Sequence, residues 1–468
     1  MGGVDGGDWV MGGADTRKDT VTFRLSYLSD GASRIEFVSD DEEAEPDEGS
    51  AEEIEESSKV EKLPEVTESD KLRLLSIEWT ETALAFFDTI PAIASRSVDN
   101  IIGENTESIR KIASEQAVEE REYFDGETSV KEFEIRSEDV RHLINRINRS
   151  THVVVVAGNM LQTTLGAYLS EYEVLLANML RLMAEIKPEI FAQDDDTISL
   201  GELMEFDSVS DARNAVIESK IEKLLLNTGH TKILRELEKK FSVNFTSDKE
   251  LIAEFTEACQ RRHIIAHAGG IVNRRYIDNC VAAGCNPEDL PRIGEQVRIT
   301  RKYLRRSVAR IYQVGYFCLH LLWQKLLPRD LESSRSCVLS DSHEFLDAGL
   351  TKMARRLCVF GKNGPRSLTN RERSAFVINH ALSYKIDRDM ESKERERKIA
   401  EVLRSHDWSD SSAVVRLAHA CVTDDNENIL RFAEMAKLDG LDYYSASSWV
   451  VFRDARGIEG FLDIFRVP

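Results

Sequence analysis

From about residue 71 onward, apolar residues recur three to four positions apart, Pro is scarce and most Gly residues stand at segment ends. That spacing matches the amphipathic helix and little else. An all-α chain is therefore predicted, with long helices at 132–150, 153–192, 211–227, 231–241, 248–268 and 291–326, the last ending at Pro328. Shorter helical stretches follow near 343–358, 370–386, 393–405, 411–421, 427–437 and 445–466, joined by brief polar loops.

The first part of the chain reads differently. In residues 1–39, Val21, Phe23, Leu25 and Tyr27 alternate, Asp30-Gly31 can turn, and Ile35 and Phe37 alternate again, the pattern of a β-hairpin. Residues 40–70 then carry fifteen Asp or Glu against Lys59 and Lys62, the composition of a disordered linker. Such a segment acts as a solvated tether or as an acidic regulator that competes with RNA for a basic site. With 468 residues the chain is too long for one core. The division expected is hairpin 1–39, linker 40–70, helical domain 71–330 and helical repeat-like domain 331–468. The helix pairs of 331–468 resemble a tetratricopeptide-like solenoid, without a clean 34-residue self-match. Both partner binding and packing on the preceding domain suit them.

A net charge of −22 excludes a protein that coats nucleic acid electrostatically, so any RNA contact must be local. The seven cysteines are odd in number and form no CxxC pair, which fits reduced thiols in a cytoplasmic protein. No apolar run approaches a membrane span, and the Gly- and Asp-rich start is not a secretory signal. Gly2 is not a myristoylation site, because Gly6 stands where Ser or Thr is needed.

The helix at 248–268 carries the chemistry. Ser247 with Glu250 forms a capping box and Gly269-Gly270 a stop, giving a helix of about 30 Å. Leu251, Ile252, Phe255, Ala258, Cys259, Ile265 and Ala266 fall in one arc of about 140°, the expected buried face. Arg262 falls in the middle of that arc, where a guanidinium needs a partner or a cleft. Gln260, His263 and His267 line the polar flank. This cluster suits metal-independent RNA cleavage, in which the 2′-hydroxyl attacks phosphorus and leaves a 2′,3′-cyclic phosphate. Histidine supplies a base or an acid near neutral pH, and arginine grips the phosphate. One His fills one proton role per turnover, so a second His or a dimer mate is expected.

Arg262-His263-Ile264-Ile265-Ala266-His267 resembles the HEPN signature, an Arg and a His separated by four residues. The stretch from about 130 to 330 is similar to a group of prokaryotic HEPN proteins whose motif is followed by Gly-Gly-Ile-Val-Asn and a Tyr, here Gly269 to Asn273 and Tyr276. Asp407-Trp408-Ser409 and Phe452 to Phe465 resemble the helical tail of that group. The resemblance implies a HEPN-like helical bundle that dimerises so that two motifs meet in one cleft. It also implies an endoribonuclease of toxin–antitoxin or antiviral systems, with an antitoxin or other protein as partner. Arg262 and His267 would be its catalytic pair, with His263 orienting Arg262 or sharing proton transfer.

Other readings of the same residues stand beside this one. They are a HEPN unit that binds RNA or nucleotide without cutting, a partner-binding scaffold, and a salt-bridged structural Arg262. His263 and His267 have zinc-ligand spacing, but Ile264 replaces the Glu of HExxH and no third ligand is near, so neither metal nor cofactor is expected. Nine cations from Arg274 to Arg310 outnumber Asp278, Glu288, Asp289 and Glu295. With Arg261, the cations Arg274, Arg275, Arg298, Arg301, Lys302, Arg305 and Arg306 form the candidate RNA track; a solvated helix face is the alternative. Arg292 and Arg310 belong to the same run. Tyr276 and Tyr303 suit either base stacking or a core. Gly361-Lys362-Asn363-Gly364 lacks the phosphate-loop order and reads as a turn, and Cys280 and Cys285 read as loop residues.

Overall fold

The computed structural model describes residues 23–27, 33–37, 66–95, 107, 110–115, 117–125, 128–135, 137–190, 199–227, 229–364 and 368–466. Most of them are helical, as the periodicity predicts. Strands β1 (Phe23–Tyr27) and β2 (Ser33–Phe37) pair antiparallel with Phe23 opposite Phe37 and Leu25 opposite Ile35, the hairpin expected from their alternation. The acidic segment up to Glu65 lies outside the described residues. The chain divides into two units, Val66–Asp341 and a second comprising Met1–Glu65 with Ser342–Pro468.

The first unit contains α1 (Glu68–Ser95), the hairpin β3 (Ala117–Asp125) with β4 (Thr128–Ile135), and α2 (Ser137–Ile186). It continues through α3 (Val209–Asn227), α4 (His230–Phe241), α5 (Lys249–Ala268), α6 (Arg274–Ala282) and α7 (Arg301–Leu326). Three expectations are corrected. Residues 132–135 are strand, not helix, and α2 is one helix where two were expected. The helix ending at Leu326 begins at Arg301 rather than near 291. Pro291 and Gly294 break the preceding segment, and Thr300 caps the helix by accepting from the Tyr303 amide.

Aromatic residues at helical spacing build the core of this unit. Trp79 of α1 stacks on Tyr168 of α2, 5.1 Å between centroids, and on Tyr312 of α7, 6.0 Å away. Its indole N–H donates to the Tyr312 carbonyl at 3.0 Å, so the large ring is buried without losing its hydrogen bond. Tyr312, Tyr316 and His320 continue the stack along α7. Ser76 bonds both His320 (2.9 Å) and Asp341 (3.1 Å), and Tyr316 donates to Asp341 at 2.5 Å. These residues have the composition of a hydrolase triad but are sealed in the core, where burial pushes His320 down to about 3. They bind α1 to α7 and to α8 (Leu331–Asp347).

In the second unit, α9 (Thr351–Lys362), α10 (Asn370–Lys385) and α11 (Ser392–Leu403) pack in sequence order, followed by the pair α12 (Ala413–Thr423) and α13 (Asn426–Leu438). Arg355 is held by the Ser383 carbonyl (3.0 Å), Asp387 (2.9 Å) and the face of Tyr384. Lys362 ends α9 beside the His380 ring, at 2.9 Å, and is no phosphate cradle. Trp408 wedges between the His406 and His419 rings while Asp407 caps the Ser409 amide, so Asp407-Trp408-Ser409 shapes a turn. The expected helix at 445–466 is broken into short turns around Phe452 and Phe461. Among the described residues, no helix is long and apolar enough to cross a membrane.

Gly315 marks the closest approach of α7 to its neighbours. A Cβ there would lie 2.9 Å from Leu175 and 3.1 Å from the Trp79 indole nitrogen. Gly315→Ala is expected to destabilise the protein by about 1–3 kcal/mol through overpacking. Chemical denaturation followed by tryptophan fluorescence measures this; an unchanged midpoint would contradict the close packing.

Candidate functional site

Helix α5 begins one residue later than the capping box suggests, because Asp248 rather than Ser247 accepts from the Leu251 amide at 3.0 Å. It ends at Gly269, whose φ of 59° is left-handed, and Gly270 (φ 79°) donates to the Ile264 carbonyl. A side chain at Gly270 would approach the Val297 carbonyl to 3.0 Å. There the chain zips against residues 294–297 through Val272 N–H to Glu295 and Val297 N–H to Gly270. Asn273 then caps α6 by accepting from the Tyr276 amide at 2.9 Å. Each residue after the motif, Gly-Gly-Ile-Val-Asn and Tyr276, thus has a local structural task.

Glu257 sets the orientation of α5. It is only 9% exposed, and three groups donate to its carboxylate. These are Arg261 Nε at 2.7 Å, Tyr276 Oη at 2.6 Å and Tyr303 Oη at 2.6 Å. The Arg261 guanidinium also lies over the Tyr303 ring, 4.1 Å from its centre. Burial and Glu257 both push the Tyr276 hydroxyl upward, so it stays a donor. One satisfied carboxylate therefore ties α5 to α6 and α7. Both tyrosines are buried, which resolves them as core rather than as base-stacking platforms.

This network corrects the expected buried arc. The arginine committed to the interior is Arg261, while Arg262 is half-buried and Ala266 is exposed. Glu257, absent from the expected arc, joins the core through its three donors and rotates that arc. Among the described residues, Arg262 makes no hydrogen bond or ion pair. It lies near Glu173, whose carboxyl is held low first by its hydrogen bond from His230 and further by the Arg262 charge. His263 and His267 are exposed, with ring centroids 4.8 Å apart. Burial, His267, Arg275 and Arg262 together lower His263, keeping it neutral at neutral pH. The structure thus brings together Arg262, His263, His267 and Arg275 at one end of α5.

The rest of the cationic run falls into separate pieces. Arg274 and Arg275 are exposed at the start of α6, and Arg292 and Arg298 stand on the non-helical segment before α7. Arg301, Lys302, Arg305 and Arg306 are exposed on the first turns of α7. Arg305 covers the Phe87 ring, Arg306 lies 3.9 Å from Glu254, and Arg310 is paired with Glu254. Cys280 is buried on α6, and only Cys285 sits in the turn beyond it. Among the described residues, no group of three His, Cys, Asp or Glu side chains is placed to hold a metal ion.

Two groups escaped the sequence reading. Glu257 carried a local signal, since it precedes Arg261 by four residues on a helix. His230, which meets Glu173 at 3.1 Å from another helix, carried none. A scan against protein-family models and searches of curated proteins and solved structures return no match to this chain.

Tyr303→Phe removes a donor to a buried charge and is expected to cost about 1.5–3 kcal/mol. Glu257→Ala leaves Arg261 without its partner and is expected to cost about 3–5 kcal/mol. Urea denaturation of both variants checks the order; a larger loss for Tyr303→Phe would contradict the hub role of Glu257.

Proposed function

We propose that Arg262, His263 and His267 form a metal-independent ribonuclease centre of the HEPN type. The observation that carries this reading is the cluster itself. An arginine without hydrogen-bond or ion-pair partners among the described residues adjoins a neutral imidazole and a second exposed imidazole. Arg262 binds the scissile phosphate and offsets the charge that grows on it. Neutral His263 is suited to receiving the 2′-hydroxyl proton, which leaves proton donation to the 5′-oxygen for His267 or for a second centre. Attack by the 2′-oxygen expels the 5′-oxygen and leaves a 2′,3′-cyclic phosphate.

Geometry favours the second centre. An in-line displacement places entering and leaving oxygens on opposite sides of phosphorus, each with a nitrogen about 3 Å away. Rings whose centroids are 4.8 Å apart are too close to flank that arrangement. In this reading the two imidazoles serve one side and a second copy of the chain serves the other, so the active species is a homodimer. Exposed Arg274, Arg275, Arg298, Arg301 and Lys302 guide the RNA, with Arg305 and Arg306 further along α7. Arg261 holds the helix in place. A toxin–antitoxin or antiviral setting, with a protein partner controlling the centre, follows from the family resemblance alone.

A second reading, a scaffold that binds partners or nucleotide without cutting, is favoured by the helix pairs of the C-terminal unit. Stacked pairs of that kind, as in tetratricopeptide-like solenoids, present extended binding faces.

In EDTA, His267→Ala is expected to lower RNA cleavage by on the order of a hundredfold or more while leaving the circular dichroism spectrum and the oligomeric state unchanged. Specific activity of the wild type should rise with protein concentration through the dimerisation range. Undiminished cleavage by His267→Ala would contradict the assignment; RNA binding without cleavage by the wild type would favour the scaffold.

A further inference from the structure

Helices α6 and α7 both start against their dipoles. The first turn of α6 opens on Arg274 and Arg275 and that of α7 on Arg301 and Lys302, and neither turn has an acidic residue. The positive end of a helix dipole favours anions and disfavours cations, so each helix loses stability by this choice. Capping does not explain it, because Asn273 and Thr300 already cap the two helices. The four cations are exposed, as are Arg292 and Arg298 in the segment that leads into α7. Among the described residues, none of these six side chains has a hydrogen-bond or ion-pair partner. An anion bound there would offset both the dipoles and the mutual repulsion of the cations.

A short backbone ladder gathers the six. Val272 accepts from the Gly294 amide at 2.8 Å and donates to the Glu295 carbonyl at 2.9 Å, while Val297 donates to the Gly270 carbonyl at 2.9 Å. Arg274 and Arg275 follow one side of this ladder, Arg292 and Arg298 flank the other, and α7 begins just beyond Arg298. Gly270, at the near end, closely follows His267 in the chain. The acids of the stretch are fewer, and two are engaged: Glu295 by the Arg292 amide and Asp289 by the Asn286 side chain. The aromatic residues of the stretch, Tyr276 and Tyr303, are buried, and its exposed apolar side chains, Ile271, Val281 and Ile293, are aliphatic. A base finds no aromatic face to stack on beside these cations.

We propose that Arg274, Arg275, Arg292, Arg298, Arg301 and Lys302 form a phosphate track that takes RNA by its backbone, whatever its base sequence. The choice of RNA as occupant rests on the ribonuclease reading of Arg262, His263 and His267: the ladder joins the track to the end of the helix that carries them, and that centre needs a phosphodiester chain rather than an acidic protein segment. Guanidinium forks pair with phosphate oxygens, and such contacts carry no sequence information. Binding releases counterions from the RNA, so affinity falls as salt rises. The cut then falls wherever an unpaired linkage can align for in-line attack, not at a chosen base.

The test measures binding of the full chain to uniformly 2′-O-methylated oligo(A), oligo(U) and oligo(C) of one length by fluorescence anisotropy; lacking a 2′-hydroxyl, these are bound but not cut. Their affinities should differ by less than about fivefold, the least that one base-specific contact gives. Log Kd should rise with log salt concentration at a slope of about 4 if each of the six cations meets one phosphate. Arg298→Ala and Arg301→Ala, both at exposed positions, should each lower that slope by about 0.7–1 and weaken all three oligomers alike. A preference above about fivefold for one base, an affinity indifferent to salt, or tighter binding of a polyglutamate peptide of equal charge would overturn the track and leave the ribonuclease reading standing. Sequence-blind, salt-sensitive binding without cleavage of unmodified RNA would support the track and overturn the ribonuclease reading alone.

Discussion

The candidate site depends on one buried carboxylate. Glu257 sits where an uncompensated charge would cost several kcal/mol, and it is retained because three donors meet it. Charge-assisted bonds of that length are about twice as strong as neutral ones. Each donor comes from a different helix, so the carboxylate acts as a rotational key for α5 against α6 and α7. With Arg261 turned inward, His263 and His267 are left exposed and Arg262 half-buried near Glu173. Of two adjacent arginines, Arg261 holds the helix, whereas Arg262 makes no hydrogen bond or ion pair among the described residues and in the proposed function meets the phosphate.

That arrangement needs a rigid frame. The stack of Trp79, Tyr168, Tyr312 and Tyr316 locks α1, α2 and α7 together, and its polar atoms are largely paired within the core through Ser76, Thr80 and Asp341. At the far end of α5, Gly269 and Gly270 allow the chain to reverse and zip onto residues 294–297. The motif helix is therefore held along its length by side chains and at its end by backbone.

Much of this was legible in the sequence, because amphipathic spacing and end signals are local. The span of α5 from residue 249 to 268 follows from them, as do α3, α4 and α10. The hairpin β3–β4 escaped because Glu and Arg fill its strands and read as helix formers, although Asp125-Gly126 carries a turn signal between them. The inward turn of Glu257 escaped for another reason. Its burial is set by Tyr276 and Tyr303, nineteen and forty-six residues away, and no local pattern encodes such pairings. His230 beside Glu173 is likewise a product of tertiary packing.

The chemistry assigned to Arg262, His263 and His267 leaves its mark on the product. A defined RNA incubated with the purified protein in EDTA, with the termini identified by mass spectrometry, tests it most directly. Fragments ending in 2′,3′-cyclic phosphate and beginning with 5′-hydroxyl are the result this account requires. Fragments with 3′-hydroxyl and 5′-phosphate ends, or cleavage that appears only when a divalent metal is added, would contradict it.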